Sequence, residues 1–562
     1  MFKEYQSIIV NKTDKIVDVM KKINIVGSRI ALIVDTNDKF IGIATDGDIR
    51  RSLINGISPE EKISKAMNKE PKIANDKMEH IEMLQMLNDR HKEIPIINSE
   101  KRVVGLLNIE DKDLMGEVKS RKVCILGLGY VGLPLSLVLA EKGFEVVGYD
   151  IDSSRLKEIE KGNSPIHEPG IDSYMNRFLG KNFNLSNELN KSVSDIYVIT
   201  VGTPVDEKTK IPITEFIDAA ARSLSKVVKK NDLIILRSTV TVGTSRNVFI
   251  KSLMKESGLQ AGRDFFLSYA PERTIEGNAI KEIQELPQII GGYDKISAHL
   301  TDQFFRELTS TIVDVGSLEG AEMVKILNNT FRDTKFAYAN EMALICKELG
   351  LDAVKLFQAA NMDYARGQIP LPSPGVGGAC LTKDPYILIE SCNKIDFKPN
   401  LVKLARSINE KIPNEIVSDI LKELSRLNKN LKKVKIFIMG FAFKGSPETA
   451  DIRGSTTKDL IDLLLKNGAN SDNLFGYDYI VEQEEIENFQ VNSCDLKNGF
   501  KNADVIIIMN NHKSYKTLDI FSLLETANED CIFVDGWYTF DPIDIISINN
   551  INYLGVGCKK SI

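Results

Sequence analysis

A short apolar strand, Val123–Leu126, runs directly into Gly127-Leu128-Gly129-Tyr130-Val131-Gly132 and then into a helical stretch at 133–142. No other feature of the chain restricts its fold so tightly. Glycines at this spacing between a strand and a helix meet three needs. The first makes a tight turn, the second lets a pyrophosphate approach the backbone, and the third lets the helix pack on the strand. The anion then sits at the helix N-terminus, facing unpaired N–H groups and the positive end of the helix dipole. A second strand follows and ends at Asp150, 18 residues beyond Gly132. A carboxylate there binds a ribose 2′-hydroxyl and repels a 2′-phosphate, which favours NAD over NADP.

Strand-helix alternation continues, with strands expected at 196–201, 233–235 and 265–267, and this implies a doubly wound parallel sheet. From 317 to 424 the chain reads as nearly all helix, broken by a Pro- and Gly-rich loop at 362–379. A third α/β unit has strands expected at 434–439, 505–509 and 531–534 and a helix at 458–467. The charged, Asn-rich stretch 425–433 marks the boundary into it. Ahead of the glycine motif lies a weak internal repeat. Its first copy has a helix at 16–26 and apolar runs at 30–34 and 40–44, and ends in Thr45-Asp46-Gly47-Asp48. Its second has a helical stretch at 78–88 and runs at 94–97 and 103–107, and ends in Asn108-Ile109-Glu110-Asp111. Thr45 and Asn108 stand 63 residues apart. Neither copy can bury its sheet alone, so the two should pack together. The expected architecture is α/β: two Rossmann-like doubly wound domains (119–316 and 429–562) joined by a central helical domain (317–428) and preceded by an α+β module (1–118).

Composition removes other classes. Of 562 residues, 43% are apolar and 27% charged, which excludes a largely disordered or low-complexity chain. The net charge of −6 gives no reason to expect nucleic acid or an anionic membrane as partner. No apolar run approaches the roughly 18 residues of a membrane span, and the N-terminus lacks the layout of a signal peptide. The seven cysteines are odd in number and form no C-x-x-C, as expected for reduced thiols in the cytoplasm. The five histidines are scattered without ligand spacing, so no metal is expected.

The second informative segment is Pro374-Gly375-Val376-Gly377-Gly378-Ala379-Cys380-Leu381-Thr382-Lys383-Asp384. Glycines before a cysteine allow backbone to approach a ligand closely. If a helix begins after Cys380, its dipole favours thiolate there, and Lys383 adds positive charge. Cys380 is therefore a candidate nucleophile, although a lone cysteine is more often a small buried hydrophobe.

Taken in order, G-x-G-x-x-G, Pro271-Glu272-Arg273, Lys325 with Asn329, the Cys380 segment and Ala442-Phe443-Lys444 resemble the nucleotide-sugar 6-dehydrogenases of the UDP-glucose/GDP-mannose dehydrogenase family. The resemblance covers about residues 120–560. It implies an NAD domain, a central helical domain that forms a homodimer or higher oligomer, and a C-terminal domain for the UDP-sugar. It also implies a four-electron oxidation of a sugar C6 alcohol to a carboxylate that supplies surface polysaccharide. In that chemistry Cys380 traps the aldehyde as a thiohemiacetal, and the second hydride transfer leaves a thioester for water to hydrolyse. By resemblance, Lys325 and Asn329 stabilise the oxyanion, and their spacing of four puts them on one helix face. Asp384 then places water and Glu272 assists hydrolysis.

The resemblance implies a cofactor side of Gly127, Gly129, Tyr130, Val131, Gly132, Asp150, Arg155, Thr203, Thr239, Glu276 and Lys383. It implies a substrate side of Arg273, Gly377, Lys444 and Arg453, with Arg366 reaching across a dimer. Lys and Arg suit a diphosphate. The loop His167-Glu168-Pro169-Gly170 reads as structural. Two departures stand out: Ala379 precedes Cys380 where the family often has Ser, Thr or His, and Gly454-Ser455-Thr456 replaces a larger residue, Ser and Pro. PSPGVGG and PER resemble the branch acting on UDP-N-acetylhexosamines, while LTKD resembles the UDP-glucose branch; two segments favour the former.

The N-terminal repeat resembles a tandem pair of CBS domains. Gly42-Ile43-Ala44-Thr45-Asp46-Gly47-Asp48 matches their G-x-x-[ST]-x-x-D signature, in which Thr45 and Asp48 would hold a nucleotide's ribose and phosphate. The second copy keeps Asp111 but has Asn108 for Thr, which weakens one site. The pair is read either as a sensor of a regulatory nucleotide or as an assembly module. Other readings of the whole chain stay open: a UDP-glucose or GDP-mannose dehydrogenase, a one-step hydroxy-acid dehydrogenase, and a nucleotide-sensing regulator on an inactive scaffold.

Overall fold

The computed structural model describes residues 5–78, 83, 86–88, 90–108, 118–548 and 551–560. The N-terminal repeat is present in the backbone. In the first copy Ile9–Asn11 runs parallel to Ile30–Val34, which pairs antiparallel with Phe40–Thr45. In the second, Ala74–Asn75, Glu93–Ile97 and Val103–Asn108 repeat the pattern. Even the ladder irregularities coincide, at Ile33/Val34 and Ile96/Ile97. Helix Ile16–Val26 buries Ile16, Val19 and Ile23, an i, i+3, i+7 stripe. The copies touch where the Phe40 amide donates to the Lys101 carbonyl at 2.7 Å and the Arg29 amide to Glu93 at 3.1 Å. Part of the expected 78–88 helix, and Asp111, lie outside the described residues.

The second unit is an eight-stranded sheet. Its order is Ile312–Asp314, Gln288–Gly292, Phe266–Tyr269, Leu233–Leu236, Ile196–Ile199, Val123–Leu126, Val146–Tyr149 and Phe183–Ser186. Its last six strands in that order are parallel neighbours, and Gln288–Gly292 turns antiparallel to them. The central strands are almost continuously apolar because helices cover both faces. Strand order reverses between Val123–Leu126 and Ile196–Ile199, and at such a point a crevice opens beyond the strands' carboxyl ends. The C-terminal unit repeats the plan with Ile436–Met439 and Val505–Ile508 flanking the reversal, and Leu474–Tyr477, Asn492–Ser493, Cys531–Asp535, Ile551–Gly555 and Cys558–Lys560 completing seven strands.

A 31-residue helix, Leu318–Glu348, links the two sheets. It spans about 46 Å at 1.5 Å per residue. Ser317 caps its start by accepting from the Gly320 amide. Leu318 and Ala321 pack into the core of the eight-stranded sheet, while Ala339 and Ala343 pack into the core of the C-terminal sheet. Helices Asp384–Asn393 and Asn400–Arg426 pack along it. Among the described residues no helix is long and apolar enough to cross a membrane. Several short strands went unforeseen, among them Gln288–Gly292 and Asn492–Ser493. Gln288–Gly292 ends in two glycines, where a Cβ on Gly291 would lie 1.9 Å from the Ser317 carbonyl. Close packing by the entering helix, rather than strand propensity, selects the residue there.

Candidate active site

The glycine loop folds as its spacing requires. Gly127 has φ +101°, and a Cβ on Gly132 would lie 1.8 Å from the Gly127 carbonyl oxygen. Gly129 has open space around it, which leaves the backbone accessible to a pyrophosphate. Gly132 opens helix Gly132–Glu141, with Val131 at its N-cap. Asp150 is buried at the end of the second strand, and its Oδ2 accepts from the Leu128 amide at 2.8 Å and from Arg155 at 2.9 Å. The carboxylate therefore fastens the loop, its Oδ1 also accepting from the Asp152 amide at 2.9 Å. Open backbone at Gly129, a helix N-terminus and this carboxylate fit an NAD molecule.

Lys383, expected on the cofactor side, reaches the segment beyond a strand of the eight-stranded sheet. Its ammonium donates to the Thr203 carbonyl at 3.0 Å and hydroxyl at 2.9 Å, beyond strand Ile196–Ile199. Thr239 is half-buried beyond the end of Leu233–Leu236. The C-terminal unit reaches over the loop. The Arg453 guanidinium lies 4.5 Å from the Tyr130 ring centroid, pairs with Asp451 at 2.6 Å and approaches Glu276 at 3.5 Å. Arg453, expected on the substrate side, is thus gathered with two cofactor-side residues, because the interdomain packing brings its segment onto the glycine loop. Lys444 donates to the Glu276 carbonyl at 2.7 Å, and desolvation lowers its pKa. Glu276 is half-buried; desolvation and then the neighbouring Asp451 raise its pKa to about 8.

Cys380 lies in the turn just before helix Asp384–Asn393. Its carbonyl accepts from the amides of Lys383 and Asp384 at 3.2 and 2.9 Å. The side chain reaches solvent, yet protein atoms crowd it. A group in a crevice can touch water and still be poorly solvated. Burial pushes the thiol pKa up, and Lys325 pulls it down by less. The expected bias toward thiolate is therefore reversed in the open site, since desolvation outweighs the positive charges. The two glycines ahead of it also differ from expectation. A Cβ on Gly377 would lie 2.5 Å from the Gly454 carbonyl, and one on Gly378 would lie 2.7 Å from the Phe443 ring. Their close approach is to the C-terminal unit, and the Gly378 amide donates to the Gly454 carbonyl at 3.0 Å.

The long helix presents Lys325 and Asn329 one turn apart, both buried. Asn329 donates to Asp384 Oδ2 at 2.5 Å, while Asp384 Oδ1 is buried without a hydrogen-bond partner. Lys325 has no hydrogen bond or ion pair among the described residues, and its charge acts on both Cys380 and Glu272. Glu272 is engaged throughout. Its Oε2 accepts from Arg237 at 3.0 and 2.7 Å, and its Oε1 accepts from the amides of Arg273 and Thr274 at 2.7 and 2.8 Å. Burial raises its pKa, but Arg237 and the Thr274 amide lower it further, so it is held as a carboxylate. With four donors on it, Glu272 is a weak proton acceptor, whereas Asp384 Oδ1 accepts no hydrogen bond and stands 3.9 Å from the Lys383 ammonium.

Two expected substrate residues are not gathered here. Arg273 donates to the Pro287 carbonyl at 3.2 Å, and Arg366 is exposed against the Tyr364 ring at 5.4 Å. Arg237, two residues before Thr239, was not among the expected site residues. It follows the apolar strand Leu233–Leu236, and a buried guanidinium there requires a partner carboxylate, which was the available signal. Glu168 of the expected structural loop accepts from the Gly277 amide at 2.8 Å. In the N-terminal repeat Thr45 and Asp48 close on each other. The Thr45 amide and hydroxyl donate to Asp48 at 2.9 and 2.6 Å, and the Asp48 amide donates back at 3.0 Å, a capping box for helix Asp46–Ile54.

A dinucleotide-binding sheet joined through a helical spine to a second such sheet, with a cysteine, lysine, asparagine and carboxylate where they meet, defines an NAD-dependent oxidoreductase. Residues 121–309, 319–411 and 437–542 match the NAD binding, central and UDP binding domains of one family, and residues 3–55 match the CBS domain. The UDP-N-acetyl-D-mannosamine dehydrogenase of Methanococcus maripaludis is 30% identical over 77% of this chain and 95% of its own length. The UDP-N-acetyl-D-glucosamine 6-dehydrogenase of Pseudomonas aeruginosa is 31% identical over 61% of this chain and 80% of its own. The solved UDP-D-ManNAc dehydrogenase of Pyrococcus horikoshii aligns with a TM-score of 0.70 at 30% identity, over 78% of this chain and 99% of that one. The chain belongs to the UDP-glucose/GDP-mannose dehydrogenase family, carries an added N-terminal CBS domain, and uses NAD.

Proposed function

We propose that this protein oxidises the C6 alcohol of a UDP-N-acetylhexosamine, UDP-N-acetylmannosamine or UDP-N-acetylglucosamine, to the carboxylate in two steps. The observation that carries this reading is the meeting of Cys380, Lys325, Asn329 and Asp384 at one junction of the two sheets. The glycine loop and Asp150 would hold NAD, which would supply the hydride acceptor, two molecules being consumed in succession for each acid formed. Lys325, whose ammonium has no hydrogen-bond or ion-pair partner among the described residues, offers its charge to the oxygen that becomes anionic. The Cys380 thiol adds to the aldehyde carbon while its proton passes to the carbonyl oxygen, giving a thiohemiacetal. After loss of hydride and of the hydroxyl proton this becomes a thioester, which water cleaves to the acid and the free thiol. Asp384, anchored by Asn329, directs its open Oδ1 to that water. Glu272, fixed by Arg237, contributes negative charge and order rather than proton transfer. Lys444 is assigned to the diphosphate, and Arg453, with Tyr130 and Glu276, to the cofactor side.

The relatives named for N-acetylmannosamine and N-acetylglucosamine sugars support the substrate class. The units 1–118, 119–316, 317–428 and 429–562 are proposed as the domain divisions. Exposed Leu327, Phe331, Tyr338 and Ile345 along one helix support a homodimer across the long helix. The capping box supports a folding role for Thr45 and Asp48; nucleotide sensing is tested by calorimetry of the full chain with adenine and uridine nucleotides. The decisive assay is NADH formation with UDP-N-acetylmannosamine, UDP-N-acetylglucosamine, UDP-glucose and GDP-mannose. Two NADH per acid from an N-acetylhexosamine, abolished in Cys380→Ala, is expected. One NADH per product, or full conversion by that variant, overturns the reading.

A further inference from the structure

Arg406 lies in helix Asn400–Arg426 and is only 2% exposed, an unusual place for a guanidinium. One of its terminal nitrogens donates to Asp333 Oδ1 and to the Leu381 carbonyl, both at 2.9 Å. The other donates to the Val376 carbonyl at 3.1 Å. Val376 and Leu381 bracket Gly377-Gly378-Ala379-Cys380, so a single fork holds both ends of the segment that carries the thiol. The network extends further. Asn409, one turn on, donates to the Asp333 carbonyl and Oδ1 at 2.9 Å and accepts from Asn340 at 3.0 Å. Asn340 in turn accepts from the Ser373 amide at 2.9 Å, at the start of the same loop. Asp333, Asn340, Asn409 and Ser373 are all buried.

Two physical points turn this into more than packing. A buried ion pair is often no more stabilising than well-packed apolar residues of the same volume, so its presence beside the Cys380 loop points to a geometric task. The task is visible in the helix register. Lys325, Asn329 and Asp333 are spaced by four and share one ridge of the long helix. Through Arg406, that ridge sets where the Cys380 loop stands relative to the lysine and asparagine it also presents. We propose that Arg406, locked on Asp333, is the positioning residue that holds the Cys380 loop in register with Lys325 and Asn329. The proposal rests on the reading of Cys380 as nucleophile.

The test uses the full chain with Arg406→Lys and the near-isosteric Asp333→Asn. Steady-state NADH formation is measured, together with the pH profile of Cys380 alkylation by iodoacetamide, read by peptide mass spectrometry with Cys346 as internal reference. In both variants kcat should fall about 100-fold, the effect of misplacing a reacting group by an ångström, with KM for NAD changed less than about threefold. The pH midpoint of Cys380 alkylation should rise by at least about half a pH unit as the thiol moves away from Lys325, with Cys346 unchanged. Values of kcat and midpoint within about twofold and 0.2 pH unit of the parent overturn the proposal. If Arg406→Lys does not fold, Asp333→Asn decides on the same criteria. Undiminished conversion by Cys380→Ala overturns the nucleophile reading instead, and with it this proposal.

Discussion

The Arg237–Glu272 pair should respond to a single-atom change. Its side chains are 2% and 9% exposed, so water cannot solvate either charge if the other is removed. Glu272→Gln keeps the shape but leaves the guanidinium without its counter-charge and sets an NH2 against existing donors. Removing one partner of a buried pair costs about 3–5 kcal/mol. The lower end applies, because Ala270 and Gln288 still accept from Arg237 at 3.1 and 2.9 Å. With a urea m-value of about 3 kcal/mol/M for a domain of this size, the midpoint should drop by about 1 M. Far-UV circular dichroism follows the transition, and the single tryptophan, Trp537, reports separately on the C-terminal sheet, where its indole donates to the Met509 carbonyl at 2.9 Å. That fluorescence transition should stay in place. The double variant Arg237→Met/Glu272→Gln should recover about 2 kcal/mol relative to the summed single costs. Because the folded pKa of Glu272 lies below its ordinary 4.5, its contribution is present above that pH and lost as pH falls through the folded value. Glu272→Gln should lose that acid-side slope. A midpoint shift under about 0.2 M, or strictly additive costs in the double variant, would refute the reasoning.

Three further outcomes are expected. Gly378→Ala should lower kcat more than about tenfold and destabilise by about 1–3 kcal/mol, since Gly378 has φ +95° and its new methyl meets the Phe443 ring; kinetics and urea melts check it. Glu276 has a folded pKa of about 8 against an ordinary 4.5, so it favours the folded state at low pH and this is lost as pH rises toward 8. Thermal midpoints of Glu276→Gln at pH 5 and 8 should therefore differ by less than those of the parent. Asp150→Ser releases Arg155 from its 2.9 Å pair, leaving only the 3.8 Å contact with Asp152, and removes the charge that repels a 2′-phosphate, so kcat/KM for NADP relative to NAD should rise roughly tenfold.

Much of the site was legible because it depends on local rules. The glycine loop needs a tight turn and open backbone within six residues, and Lys325 and Asn329 need only helical spacing. Cys380 stood out through its glycines, although those glycines face Gly454 and Phe443 rather than open space. The partners of buried charges were not legible. Arg237 and Glu272 are 35 residues apart, and Asp333 and Arg406 are 73.

The sequence by itself determined the two doubly wound sheets and the repeat of 63 residues, and it singled out the candidate chemistry-bearing residues, since periodicity, turn glycines and motif order act over short stretches of chain. Only the tertiary structure decided the ionisation and assignment of those residues. It set Arg453 over Tyr130, filled every acceptor of Glu272, left Asp384 Oδ1 open and raised the Cys380 thiol. The physical reason is that a charge's state depends on desolvation and on partners brought together by packing, and neither is encoded by spacing along the chain.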